Sequence, residues 1–466
     1  KGEFVGRKRI AVRAPLLTAQ ARAAARADGR ALRRKVPRTS HAQWDPAMRR
    51  ADPIATLLDT SRNRLPHLLP LRYGRMSRSA FAWMRGSAAL MASDLSATPT
   101  TGLHVQACGD CHSGNFGAFA SPERRVLFDL TDFDETLPGP WEYDLKRLAT
   151  SLTLVARYQG CGKREAREVT LAAARAYRKH TRAYGALSPL EIWYAIIDSE
   201  VLIRTAPDEA TRQRRIRFER KARARTGDSL LGRLLVERGG RLHFREQPPT
   251  IVHLSPGSRL AKQFRKVLER YPESLAKDRR LLLTRYRFQE IAIKVVGVGS
   301  VGTRCAVALY LSQGGDPLVL QVKEAVPSVL APYAGASRFA HEGERVVVGQ
   351  RLMQCASDIF LGWASDDDGR DYYVRQLRDM KTSVPLEMLK GPVLHNFADM
   401  CGWALARAHA KAGDAARLSG YLGSSERMDE AIADFAGRYA DQCERDYATF
   451  KRAIRAGTIA VKLERQ

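Results

Sequence analysis

The segment that most narrows the choice of folds is Ile291-Ala292-Ile293-Lys294-Val295-Val296, a β-branched run leading straight into Gly297-Val298-Gly299-Ser300-Val301-Gly302. A G-x-G-x-x-G after a strand marks a dinucleotide fold only when it opens a helix, whose N-terminus receives the pyrophosphate. Here residues 303–311 have strand character again, Gln313-Gly314-Gly315-Asp316-Pro317 is turn chemistry, and 318–323 is a third strand. The glycines therefore open a hairpin. A lone motif of this kind is also an ordinary tight turn, since glycine takes positive φ freely.

A glycine-rich hairpin over phosphates, followed by a strand ending in lysine, is the arrangement of a kinase small lobe, with Lys323 in the phosphate-pairing role. Gly297, Gly299, Ser300 and Gly302 form the expected cover over ATP. Residues 337–354 read as a helix carrying Glu342 and Glu344, and Glu344 is the expected ion-pair partner that orients Lys323. Glutamates on a helix are otherwise solvated surface. Residues 358–363 and 372–377, either side of an acidic turn, read as two further antiparallel strands, and 396–411 as an amphipathic helix.

The second constellation lies upstream. Gly109-Asp110-Cys111-His112-Ser113-Gly114-Asn115 precedes an apolar run, Val126-Leu127-Phe128, and then Asp129-Leu130-Thr131-Asp132-Phe133-Asp134-Glu135. Asp110 and Asn115 stand at the interval at which a phosphoryl-transfer loop places its base and its metal-binding amide. Mg²⁺ takes one or two carboxylates plus phosphate oxygens. Asn115 and Asp132 are the expected metal ligands and Asp110 the catalytic base, with Asp129 and Asp134 in reserve for the metal. Asp and Asn also populate turns for local reasons. Cys108 to His112 also fits C-x-x-C-H, the pattern of c-type haem attachment, and a lone C-x-x-C is a weak zinc signal. Haem attachment implies export, and residues 1–14 lack the charged start, apolar core and cleavage site of a leader.

The phrases from Gly109 to Gly117, from Phe128 through Thr136-Leu137-Pro138-Gly139-Pro140-Trp141-Glu142-Tyr143-Asp144-Leu145 to Leu148, and from Lys294 to Thr303 closely resemble a bacterial family known as domain of unknown function 2252. The resemblance extends over nearly the whole chain. More distantly, Asp110, Asn115, Asp132 and Asp144 are similar to the catalytic half of the aminoglycoside phosphotransferase and choline kinase group. That group marks its base with His-Gly-Asp, whereas here Cys108 precedes Gly109.

Ordinary kinases place the glycine loop and lysine before the catalytic loop, and this chain reverses them. One site built from both halves requires a circularly permuted chain, which folds tolerate because termini lie at the surface and near each other. The rival arrangement is two domains whose motifs never meet. The expected fold is α+β: a protein-kinase-like two-lobe architecture in permuted order with an extra N-terminal helical segment. The expected divisions are 1–97 (mainly helical), 98–278 (catalytic loop), 279–388 (glycine loop and sheet) and 389–466 (C-terminal helices), with breaks near 96–102, 272–278 and 384–392, where turn formers interrupt apolar periodicity.

At 466 residues with 44% hydrophobic content the chain can bury a large core. Seven scattered cysteines argue against a disulfide framework and for a reducing, cytoplasmic compartment, and no apolar run is long enough to span a membrane. The net charge of +27 bears on partners. Its densest run, 212–225, and the Ala- and Arg-rich stretch 22–34 read as helices with solvated faces; the alternative is a field that attracts an anionic partner such as a nucleotide, a phosphorylated metabolite or RNA. Arg75 and Arg85 are placed either to reach a phosphate or to cap helices. The expected activity is Mg-dependent phosphoryl transfer from ATP to an unidentified, small-molecule acceptor. The alternatives are AMP transfer at the same site and a non-catalytic nucleotide- or nucleic-acid-binding protein.

Overall fold

The computed structural model describes residues 19–48, 51–224, 231–232, 234–377 and 384–464; residues 1–14 and Arg225, both invoked above, lie outside them. Four short strands accompany the loop bearing Asp110: β1 (His104–Ala107), β2 (Phe116–Ala120), β3 (Val126–Leu130) and β4 (Leu137–Pro140). β1 pairs with β4 and β2 with β3, both antiparallel. A hairpin of β5 (Leu235–Arg238) and β6 (Arg241–Phe244) follows. Then come β7 (Ile251–His253), β8 (Tyr286–Lys294), β9 (Cys305–Ser312), β10 (Pro317–Ala325), β11 (Gly362–Ser365) and β12 (Asp371–Gln376), which form one antiparallel sheet in the order β11-β12-β10-β9-β8-β7.

Side chains alternate across a strand, and this sheet uses both faces. Leu320, Val322, Tyr372 and Val374 pack with Phe264, Val267 and Leu268 of the helix Arg259–Arg270. The intervening residues Gln321, Lys323, Tyr373 and Arg375 take the opposite face, in cross-strand register as Gln321 with Arg375 and Lys323 with Tyr373. The helix Glu342–Met353 is inserted between β10 and β11, and its Val346, Val347 and Met353 join the main core. Gly349 lets that helix close on Thr136, whose side chain occupies the space a Cβ would need.

The helical half grows from Trp141–Tyr158, where Leu145, Leu148, Leu152 and Val155 recur at helical spacing on a fully buried segment. It packs with Lys163–Tyr184, Gly391–Ala412 and Arg427–Arg455 in the largest core, and Gly402 brings the helix Gly391–Ala412 onto the backbone of Ala173. The N-terminal helix Ala19–Ala31 seats on Ala415–Leu422 through Gly29 and Gly420, each facing the other helix's backbone. Among the described residues no helix is long and apolar enough to cross a membrane.

Three expectations shift. β7 and the helix Arg259–Arg270 lie upstream of the break expected at 272–278, yet both belong to the sheet assembly. A three-residue strand carries too little alternation to announce itself. Residues 358–361 are not strand, because Asp358 Oδ1 accepts the Phe360 N–H at 2.9 Å in a local turn, and β11 begins only at Gly362. The helix expected from Ser337 starts at Glu342, where His341 Nδ1 accepts the Glu344 N–H at 3.2 Å as its cap.

Candidate functional site

The loop bearing Asp110 is tied down from behind. Gly109 has φ +82°, and a Cβ there would run into the Glu135 carbonyl, so this position requires glycine on both counts. Asp144, in the first turn of the Trp141–Tyr158 helix, accepts the Cys108 N–H at 2.6 Å and the Gly109 N–H at 3.0 Å. His409 Nε2 lies 3.1 Å from the same carboxylate, and its Nδ1 lies 2.9 Å from the Tyr177 hydroxyl. Asn115 Nδ2 donates to the Asp110 carbonyl at 2.8 Å, while the Asn115 carbonyl accepts the Thr131 N–H at 2.9 Å, which sets Asn115 beside the strand end carrying Asp132. Cys108 and Cys111 are buried free thiols, and His112 Nδ1 accepts the Gly114 N–H at 3.1 Å. His112 also lines a cavity with Asp110, its Nε2 3.8 Å from Asp110 Oδ2.

Asp110 Oδ1 accepts from Arg147 Nε at 2.7 Å, and its side chain is 21% exposed. Burial pushes the Asp110 carboxyl up to about 6; Arg147 pulls against that rise and Asp132 adds to it. A carboxylate titrating near neutrality is suited to accepting a proton. Asp132 Oδ1 is buried with no hydrogen-bond partner among the described residues. An orphaned carboxylate oxygen is costly to bury and fits a site for a hard cation. Glu135 is also pushed up, to about 7, by burial, although its Oε2 accepts the Val329 N–H at 2.8 Å.

The two remote constellations meet. Lys323 Nζ forms an ion pair with Asp134, 189 residues away in sequence. Tyr373 donates its hydroxyl to Asp134 Oδ1 at 2.6 Å, and Ser300 of the glycine loop lies 3.2 Å from Oδ2. Burial opposes the charge on Lys323, but Asp134, Tyr373 and Asp132 outweigh it and hold the ammonium well above its ordinary value. A cavity of about 530 Å³ is lined by Asn115, Asp132, Gly297, Ser300 and Lys323 together, within the usual size of a small-ligand site. A smaller one of about 110 Å³ adjoins it, sharing Asn115, Asp132, Gly297 and Ser300 and adding Asp110 and Gly299.

The remaining expected residues take other places. Glu344 lines neither cavity and does not pair with Lys323; Asp134 holds that lysine, and the helix presents Arg345 to the carbonyls of Asp134, Thr136 and Val326. Gly302, at φ +89°, is turned away from both cavities, its carbonyl accepting the Leu65 N–H at 2.7 Å. Asp129 is not available to a metal, being fully buried against Arg407 at 2.7 Å. Asp134, the other reserve, is taken by Lys323 and Tyr373.

The N-terminal segment grips the glycine loop. Arg64 Nη1 donates to the carbonyls of Gly299 and Val301, both at 2.7 Å, and Arg75 Nη1 to that of Gly297 at 2.6 Å. Arg75 also binds Glu464, so it fastens the loop to the C-terminal stretch instead of reaching a ligand. Arg85 lines both cavities. Sequence reasoning passed over Arg64, Arg147 and Arg375; among 77 Lys and Arg residues, only the fold distinguishes them.

A family model described as an uncharacterised protein conserved in bacteria matches residues 64–453. No curated protein and no solved structure matches the chain.

Proposed function

We propose that this chain, which belongs to the bacterial family DUF2252, is a magnesium- and ATP-dependent phosphotransferase with a kinase-like site in circularly permuted order. The observation that carries the reading is the single cavity bordered by Asn115 and Asp132 from one stretch and by Lys323 and the glycine loop from the other. Support for permutation comes from Gly413, just past the helix Gly391–Ala412, where a Cβ would lie 2.8 Å from Val105 and 3.5 Å from the His104 carbonyl. A chain joined there would run from sheet to helix to catalytic loop in the ordinary order.

Asp132 and Asn115 are the residues that would hold magnesium, and the ion, when bound, neutralises charge on phosphate oxygens. Asp110 borders the smaller cavity, which is the acceptor's place in this reading. Its carboxylate orients the acceptor hydroxyl and takes the proton as the acceptor oxygen bonds to the terminal phosphorus. The bond from that phosphorus to the bridging oxygen breaks, and a nucleoside diphosphate leaves. Arg147 holds Asp110 Oδ1 and so presents the other oxygen to the acceptor. Lys323 and Ser300 converge on Asp134 at the base of the glycine loop, which positions the cover over the phosphates.

Mg-ATP is expected to raise the melting temperature more than ATP in chelator, and Asp132→Asn to abolish that difference. Saturation at about 100 times Kd corresponds to about 2.7 kcal/mol of stabilisation. Equal stabilisation with and without magnesium, or stabilisation by RNA with a steep salt dependence, would favour a binding protein. Incubation with ATP labelled at either the α or the γ phosphate separates phosphoryl from AMP transfer; label leaving from γ is the expected result.

A further inference from the structure

Arg375 lies on β12 directly across from Gln321 of β10, on the cavity face of the sheet, next to the Lys323–Tyr373 pair. Its Nε donates to Gln321 Oε1 at 3.0 Å, which fixes the plane of the guanidinium. Nη1 and Nη2 make no hydrogen bond among the described residues; the guanidinium lies over the Tyr373 ring, 5.7 Å from its centroid, and feels the charges of Asp132 and Asp134. The neighbouring ammonium is already neutralised, because Lys323 is paired with Asp134. Arg375 is half-buried on the cavity wall, so its two outer nitrogens are open to an anion that enters the cavity.

We propose that Arg375 is a phosphate-gripping residue, its fixed guanidinium fork taking two oxygens of a bound polyphosphate chain beside Lys323. The inference rests on the triphosphate reading above and adds to it the direction in which the ligand lies. A planar fork matches two phosphate oxygens, which a lysine cannot do. A purine ring wants apolar cover, and the polar pair Gln321 and Arg375 denies it that on this part of the sheet. Apolar cover is offered instead by Phe119, Leu282, Tyr286, Leu318 and Phe360, which line the same cavity. The base is thus assigned to those residues and the phosphates to Arg375, beside the Lys323–Asp134 pair, and to the magnesium that Asp132 would hold.

The test is calorimetric titration of the full chain with ATP and with inorganic tripolyphosphate, both in magnesium. Arg375→Ala is expected to weaken both ligands about 10- to 100-fold, the loss of charged hydrogen bonds. Arg375→Lys, which keeps the charge and loses the fork, is expected to fall between wild type and Arg375→Ala, and it decides the matter if the alanine variant fails to fold. Unchanged tripolyphosphate affinity in the variants overturns the inference, whether or not ATP binding weakens, and so does a wild-type chain that does not bind tripolyphosphate. Phosphoryl transfer from ATP is measured in parallel. Arg375-dependent tripolyphosphate binding in a chain that transfers nothing overturns the function and leaves this site standing; transfer with no Arg375 dependence does the reverse.

Discussion

Asp110→Asn is expected to slow phosphoryl transfer by about 10²- to 10⁴-fold, the usual worth of a positioned base, with nucleotide affinity unchanged. The substitution is nearly isosteric, and the new amide oxygen still accepts from Arg147 Nε, which lies 2.7 Å from Oδ1 in the native protein. What it removes is the ability to take a proton. The pH profile supplies an independent check. Burial pushes this carboxyl up to about 6, and the base works only when ionised, so the native rate is expected to rise with pH through about 6 and then level off. Arg147 pulls the same group down, so Arg147→Gln is expected to move that inflection to higher pH. Single-turnover rates across pH 4.5 to 8.5 read both effects. A native profile flat through that range, or an Asp110→Asn variant as fast as wild type, removes Asp110 from the chemistry.

What was legible in the sequence and what was not divide along a physical line. The strands flanking the glycines announce themselves by alternation, and the Asp110–Asn115 spacing is a property of one loop, so both could be read locally. The convergence of that loop with Lys323 was also expected, because each motif alone reads as half of a triphosphate site. The partner of Lys323 was not legible. A helix after the lysine strand implied Glu344, but the geometry gives the lysine to Asp134, two residues past Asp132 on the same acidic segment. That choice depends on how the Glu342–Met353 helix is rotated. Its Arg345 is drawn to the carbonyls of Asp134 and Thr136, and the glutamates go elsewhere. The cavity role of Arg375 was equally hidden. Alternation along Tyr372–Gln376 sorts side chains into two sets, but only the helix Arg259–Arg270 packed on one face decides which set faces the cavity.

The same logic explains why Asp129, held in reserve for the metal from sequence, makes the strongest stability prediction. Arg407 and Asp129 are both 0% exposed and lie 2.7 Å apart. Asp129 Oδ2 also accepts the Cys355 N–H at 2.8 Å, and Arg407 Nη2 also donates to the Met353 carbonyl at 2.5 Å. One ion pair thus joins the helix Gly391–Ala412, β3 and the end of the Glu342–Met353 helix. Arg407→Met is expected to destabilise the fold by about 3–5 kcal/mol, because it leaves a carboxylate buried without its counter-charge. Combining it with Asp129→Asn is expected to recover most of that loss. The amide is neutral and can still accept the Cys355 N–H, so the double variant has no stranded charge. Urea unfolding of the single and double variants, read as midpoints at constant m, measures the difference. A single variant within about 1 kcal/mol of wild type would mean that the interior around Asp129 is solvated well enough to hold a lone charge.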